Sequence, residues 1–150
     1  MTDTCPTSKC LYAVERTLAC TSLLLLAMGG MLYLLFRPRT LMMFGLADGM
    51  GLGGVVDGWR MAAQSLQLPA FVVYSLPGGL WSASYVLLTD ALLRGQPRRI
   101  RLTGICVIPL IGAASELLQG FKLLPGTFDL ADVACYLLPL AAYIILTKTF

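Results

Sequence analysis

The chain contains no histidine. That excludes histidine-ligated haem, most zinc chemistry and the commonest general base. Charge is also scarce: Asp, Glu, Lys and Arg make up 13% of the 150 residues, against about 25% in an ordinary soluble domain. A water-soluble fold of this size needs polar surface that so few charges do not supply. No paired CxxC occurs, so a zinc or iron–sulfur site has no support. What the chain has instead is apolar sequence: 57% hydrophobic residues and a mean hydropathy of +0.78. This is the composition of an integral membrane protein. The net charge of +3 is modest and the arginines sit in short loops, so no nucleic-acid partner is expected. Membrane lipids are the expected surroundings, and no cofactor or metal is implied.

The expected architecture is all-α, a polytopic transmembrane helix bundle. Residues 1–17 form a polar tail and residues 18–150 a single membrane domain. Leu18 to Phe36 is apolar for 19 residues, enough to cross a hydrocarbon layer of ~30 Å. It is longer than a signal peptide's apolar core and is followed by Arg37-Pro38-Arg39 rather than a cleavage site, so it reads as a permanent span. Leu68–Leu93, Leu102–Leu118 and Leu130–Leu146 complete four firm spans, with a break expected at Pro77-Gly78-Gly79. Thr40–Trp59 is ambiguous. Gly45, Gly49 and Gly53 recur at spacing four, a pattern that lets helices approach closely, yet Asp48 and Asp57 interrupt it. It reads as a fifth span, a re-entrant hairpin or an interfacial segment. Cys20, Cys106 and Cys135 lie in apolar stretches and read as small buried hydrophobes. Cys5 and Cys10 could pair only in an oxidising compartment.

Charge sets the orientation. Arg94 to Arg101 holds four arginines in eight residues and is expected on the cytoplasmic side. With four spans, Lys9, Arg16, these four arginines and Lys148 lie inside, seven basic residues against four outside (Arg37, Arg39, Arg60 and Lys122). With five spans the count is again seven against four, because Arg37 and Arg39 exchange sides with Lys9 and Arg16. Both arrangements put Glu116, Gln119, Asp129 and Asp132 near the extracytoplasmic face. Three of the four are carboxylates, which are costly near hydrocarbon and usually have a role.

Glu116 and Gln119 are three residues apart and share a helix face, as do Asp129 and Asp132 at the start of the last span. A short connector containing Lys122 returns the chain, so the two helix ends are neighbours and the four groups can converge on a shallow polar pocket. Lys122 could neutralise one carboxylate there. The structural alternative is that Asp129 caps the helix and Asp132 answers its dipole. Glu116-x-x-Gln119, a Pro-Gly turn, then Phe128-Asp129-Leu130-x-Asp132 resembles the signature of the VanZ-like membrane proteins. The likeness covers roughly residues 112–139. The chain departs from the family pattern at Gly126, Tyr136 and Pro139, where the family carries arginine, asparagine and glycine. The resemblance implies a small envelope protein of the bacterial inner membrane, handling a lipid-linked or glycan ligand at the outer leaflet.

Two functions from different classes follow. The first is a VanZ-like protein with a ligand site built from Glu116, Gln119, Lys122, Asp129 and Asp132. No nucleophile–base pair is visible, so binding rather than catalysis is expected. The second is an accessory subunit of a larger membrane complex, packed through Gly45, Gly49 and Gly53. A transporter is a third reading, consistent with broken helices and buried acids, but four or five spans are few for a lone transporter and no internal repeat is present.

Overall fold

The computed structural model describes residues 6–39 and 42–148, with side chains for 11–39 and 42–147. Among the described residues there are seven helices and no strand, so the protein is all-α. They are α1 (Pro6–Phe36), α2 (Met42–Gly49), α3 (Gly53–Ala63), α4 (Ala70–Tyr74), α5 (Leu76–Leu92), α6 (Arg98–Gly120) and α7 (Leu130–Lys148). The proposed pairing of Cys5 with Cys10 lies outside the described residues. Helix α1 starts at Pro6, so the polar stretch expected as a tail is helical from there on.

Among the described residues three helices are long and apolar enough to cross a membrane: Leu11–Phe36, Arg98–Gly120 and Leu130–Thr147. Four were expected. The difference lies in Leu68–Leu93, which divides at Ser75 into α4 and α5. Pro77 has no N–H to offer the Val73 carbonyl, so the helix stops ahead of it and restarts with Pro77 in the first turn. The break therefore falls two residues before the Pro-Gly-Gly triplet. Helix α5 has 17 residues, or about 26 Å of rise, slightly short of the hydrocarbon thickness.

The ambiguous Thr40–Trp59 region forms most of a helical hairpin. Helices α2 and α3, of 8 and 11 residues, are each too short to cross. Gly51, at φ 74°, ends α2 in a Schellman motif: its N–H bonds Asp48 O at 3.0 Å and the Leu52 N–H bonds Ala47 O at 2.9 Å. Phe44, Ala47 and Val56 close the hairpin, packing against Leu34 of α1. Because Gly51 reverses the chain, Gly45 and Gly49 lie in one helix and Gly53 opens the next. The three do not form a single groove. Gly45 and Gly49 face open space, while Gly53 lies against the Asp48 carboxylate and Arg39.

Helix α5 is the centre of the bundle and packs against α1, α6 and α7. It runs antiparallel to α1, where the buried Ser22 hydroxyl donates to Ser84 O at 2.8 Å and the Trp81 indole covers Gly29. It runs parallel to α7, where Ser82 Oγ donates to Tyr136 O at 2.8 Å and Gly79 meets Cys135. Tyr85 OH donates to Gly104 O of α6 at 2.7 Å. Helices α6 and α7 are antiparallel, with the Tyr136 ring seated on Gly112. Val86, Ile105, Leu140 and Tyr143 form the main buried cluster. The glycines that permit close approach are thus Gly29, Gly79, Gly104 and Gly112. Cys135 is buried as expected, but Cys20 is exposed on α1. So are large apolar side chains such as Leu24 (66%), Leu138 (64%) and Ile145 (64%) on the outer faces of the long helices. Apolar surface this continuous belongs in lipid rather than water.

Candidate functional site

One end of the bundle gathers the ends of α1 and α6 with the starts of α4 and α7. Glu116 lies about one turn from the end of α6 and is 7% exposed. Gln119 Nε2 donates to Glu116 Oε1 at 3.4 Å. The turn that follows is built on two residues with positive φ. Lys122, at φ 58°, closes α6 in a Schellman motif, its N–H bonding Gln119 O and that of Leu123 bonding Leu118 O, both at 2.9 Å. Gly126, at φ 137°, lies directly against the Gln119 side chain, where a Cβ would collide with its Oε1. A side chain at 126 has no room, which accounts for glycine at that position.

Asp129 Oδ1 accepts from the Ala131 N–H at 2.8 Å and so caps α7. Asp132 sits in the first turn of α7, suited to the helix dipole. Glu116 faces both aspartates within electrostatic reach. Two carboxylate oxygens, Glu116 Oε2 and Asp132 Oδ1, are buried with no hydrogen-bond partner. The three acids nevertheless do not form a group suited to a metal ion among the described residues.

The structure therefore brings Glu116, Gln119, Asp129 and Asp132 to one place. It does not bring Lys122 there: its side chain is exposed and makes no ion pair with a carboxylate among the described residues. Its cationic part is taken by Arg37, from just beyond α1. The Arg37 guanidinium donates from Nη2 to Tyr74 O at 2.9 Å and lies over the rings of Tyr74 (4.8 Å) and Tyr33 (5.4 Å). Its Nε is buried without an acceptor. Arg37, Phe71, Tyr74, Ser75, Thr127, Asp129 and Asp132 line a cavity of 310 Å³. Tyr136 lies within electrostatic reach of Glu116, Asp132 and Arg37. Three carboxylates and one guanidinium leave this end acidic, rich in lone pairs and with one cation held against aromatic rings. It can accept hydrogen bonds from hydroxyls or ammonium groups.

The opposite end holds a cluster that the sequence did not reveal. Asp90, the single acid of α5, is 4% exposed. It accepts from Tyr143 OH at 2.7 Å and from Arg94 Nη2 at 2.9 Å, and Arg101 Nε stands 3.5 Å away. The Asp90–Arg94 spacing of four was the one local signal; Tyr143, 53 residues on, gave none. On the hairpin, Arg39 pairs with Asp48 at 2.9 Å and Asp57 at 3.2 Å, both exposed.

No family model, curated protein or solved structure matches this chain.

Proposed function

We propose that this is a VanZ-like cell-envelope protein of the bacterial inner membrane that binds a polar ligand at its extracytoplasmic end. The observation that carries this is the 310 Å³ cavity lined by Arg37, Asp129 and Asp132, with the Asp132 Oδ1 and the Arg37 Nε buried and unpartnered; Glu116 does not line it but lies within electrostatic reach of both aspartates. Buried polar atoms without partners are costly, and a ligand that supplies their hydrogen bonds would offset that cost. Sugar hydroxyls or a cationic group on a lipid-linked molecule have the required donors. In this arrangement α4 and α5 together make a fourth crossing. The basic Arg94–Arg101 loop then lies inside, and the α2–α3 hairpin outside with the cavity. Glu116→Gln and Asp132→Asn each keep the side-chain shape and remove the charge. The expected result is loss of the envelope phenotype or of the co-purified lipid-linked ligand while the protein still inserts. Both variants behaving as wild type would overturn the proposal.

The second reading is an accessory subunit of a membrane complex, with other membrane subunits as partners. What favours it is a 200 Å³ cavity on the hairpin with wholly apolar walls, including Leu46, Met50, Val55 and Trp59, beside the open faces of Gly45 and Gly49. Purification in a mild detergent followed by mass spectrometry separates the two: a lone chain with bound lipid supports the ligand site, and a stoichiometric protein partner supports the subunit.

A further inference from the structure

The basic end of the bundle combines two features that a single ligand would satisfy. The first is unbalanced charge. Arg94 and Arg101 converge on one buried carboxylate, Asp90, which already accepts the Tyr143 hydroxyl. One carboxylate cannot neutralise two guanidinium groups. The Arg94 Nε is buried and makes no hydrogen bond, and the buried Arg101 Nε has only the 3.5 Å ion pair with Asp90 Oδ1. With Arg98 and Arg99 in the first turn of α6, residues 90–101 carry four positive charges and one negative, a net +3.

The second feature is a crevice of 350 Å³ between α1, α5 and α7, directly beside Asp90 and Arg94. Leu18, Leu87, Pro139 and Ala142 contribute to its mainly apolar walls. Thr147 also lines it, but its hydroxyl is turned back to Tyr143 O at 2.8 Å. Arg94 is thus the cation at the edge of an apolar slot. A ligand that fits must carry an anion next to a hydrocarbon chain.

We propose that this crevice holds an acyl chain of an anionic phospholipid whose phosphodiester group is bound by Arg94, with Arg101 behind it. Basic pockets between membrane helices bind such head groups in general. A zwitterionic lipid fits less well, because its own ammonium group leaves the excess positive charge of the site in place. The site is separate from the polar cavity at the other end and does not rest on the function proposed for it.

The test uses the full chain, purified in a neutral detergent and offered equal amounts of phosphatidylglycerol and phosphatidylcholine with the same acyl chains. Native mass spectrometry reads what stays bound. The wild type is expected to retain phosphatidylglycerol about fivefold over phosphatidylcholine, the effect of one basic side chain at a lipid surface. Arg94→Gln should bring that ratio close to one. Ala142→Trp, which fills the crevice and leaves the charges alone, should reduce retention of both lipids. The double variant Arg98→Gln, Arg99→Gln should keep the preference. Equal retention by the wild type would overturn the proposal, as would Ala142→Trp retaining lipid like the wild type. So would a preference that survives Arg94→Gln but vanishes in the double variant, because that marks diffuse attraction to a basic surface. Displacement by equimolar oleate would assign the slot to a free fatty acid and overturn the phospholipid.

Discussion

Replacing Asp90 by alanine should be the most damaging single change in the bundle. The carboxylate is 4% exposed and holds three groups: the Tyr143 hydroxyl at 2.7 Å, Arg94 at 2.9 Å and Arg101 at 3.5 Å. Its loss strands two guanidinium groups beside hydrocarbon, and breaking a buried ion pair this way costs about 3–5 kcal/mol. The Arg94 and Arg101 side chains are 24% and 23% exposed. They can turn partly toward water, which puts the expected cost near the lower figure, roughly 3 kcal/mol. Tyr143→Phe removes a single hydrogen bond and leaves Asp90 with both arginines. Interhelical hydrogen bonds of this kind contribute about 0.6 kcal/mol on average and up to ~1.7. Equilibrium unfolding in mixed micelles, titrating a denaturing detergent, measures both. The expected order is Asp90→Ala well beyond Tyr143→Phe. In the double variant, Tyr143→Phe should add almost nothing to Asp90→Ala, because its partner is already gone. A smaller loss for Asp90→Ala than for Tyr143→Phe, or strict additivity, would refute the idea that Asp90 is the hub.

Three further outcomes are expected. Gly112→Ala should destabilise by about 1–3 kcal/mol through overpacking, since the added methyl would meet the Tyr136 ring 2.7 Å away; Gly104→Ala should cost less, because the atom it meets is the end of the Leu93 side chain, which can move. The same unfolding titration ranks the two. Lys122→Gly should raise stability by roughly 1 kcal/mol, because Lys122 ends α6 at φ 58°, a conformation that glycine adopts freely; unchanged or lower stability would count against the Schellman assignment. Arg39→Ala should change global stability by less than about 1 kcal/mol, because both of its ion pairs are exposed. Its effect should be local, seen as faster hydrogen exchange in the α2–α3 hairpin.

The helical class and three of the crossing segments were legible because composition and run length dictate them almost without tertiary information. The fourth segment was not. Pro77 acts upstream of itself, through the carbonyl of Val73, so the break falls at Ser75 rather than in the triplet that advertises it. The spacing of Gly45, Gly49 and Gly53 suggested one packing face, but that needs an unbroken helix, and Gly51 reverses the chain between the second and the third. At the acidic end, Glu116, Gln119, Asp129 and Asp132 were found because a short connector forces their helix ends together. Arg37 was missed because its place depends on α4 folding back over the end of α1. Asp90 was passed over for a similar reason: its tyrosine lies on α7, and no local pattern joins residues 90 and 143.

The position of α5 bears on how the protein is made. Three of its polar groups find partners on other helices: Ser84 on Ser22 of α1, Ser82 on the Tyr136 carbonyl of α7, and Asp90 on Tyr143 of α7 and Arg101 of α6. In lipid without those partners they would be exposed to hydrocarbon, where each unsatisfied group costs several kcal/mol. The Leu11–Phe36 stretch of α1 is long and apolar enough to cross a membrane by itself; α5 is shorter and depends on its neighbours for its polar groups. In chain order α1 comes before α5 and already carries Ser22, whereas the contacts of Arg101 and of Tyr136 and Tyr143 come only with α6 and α7. The packing of the central helix is thus a loan secured by helices on both sides of it in the sequence, and α7 is the one that locks it in place.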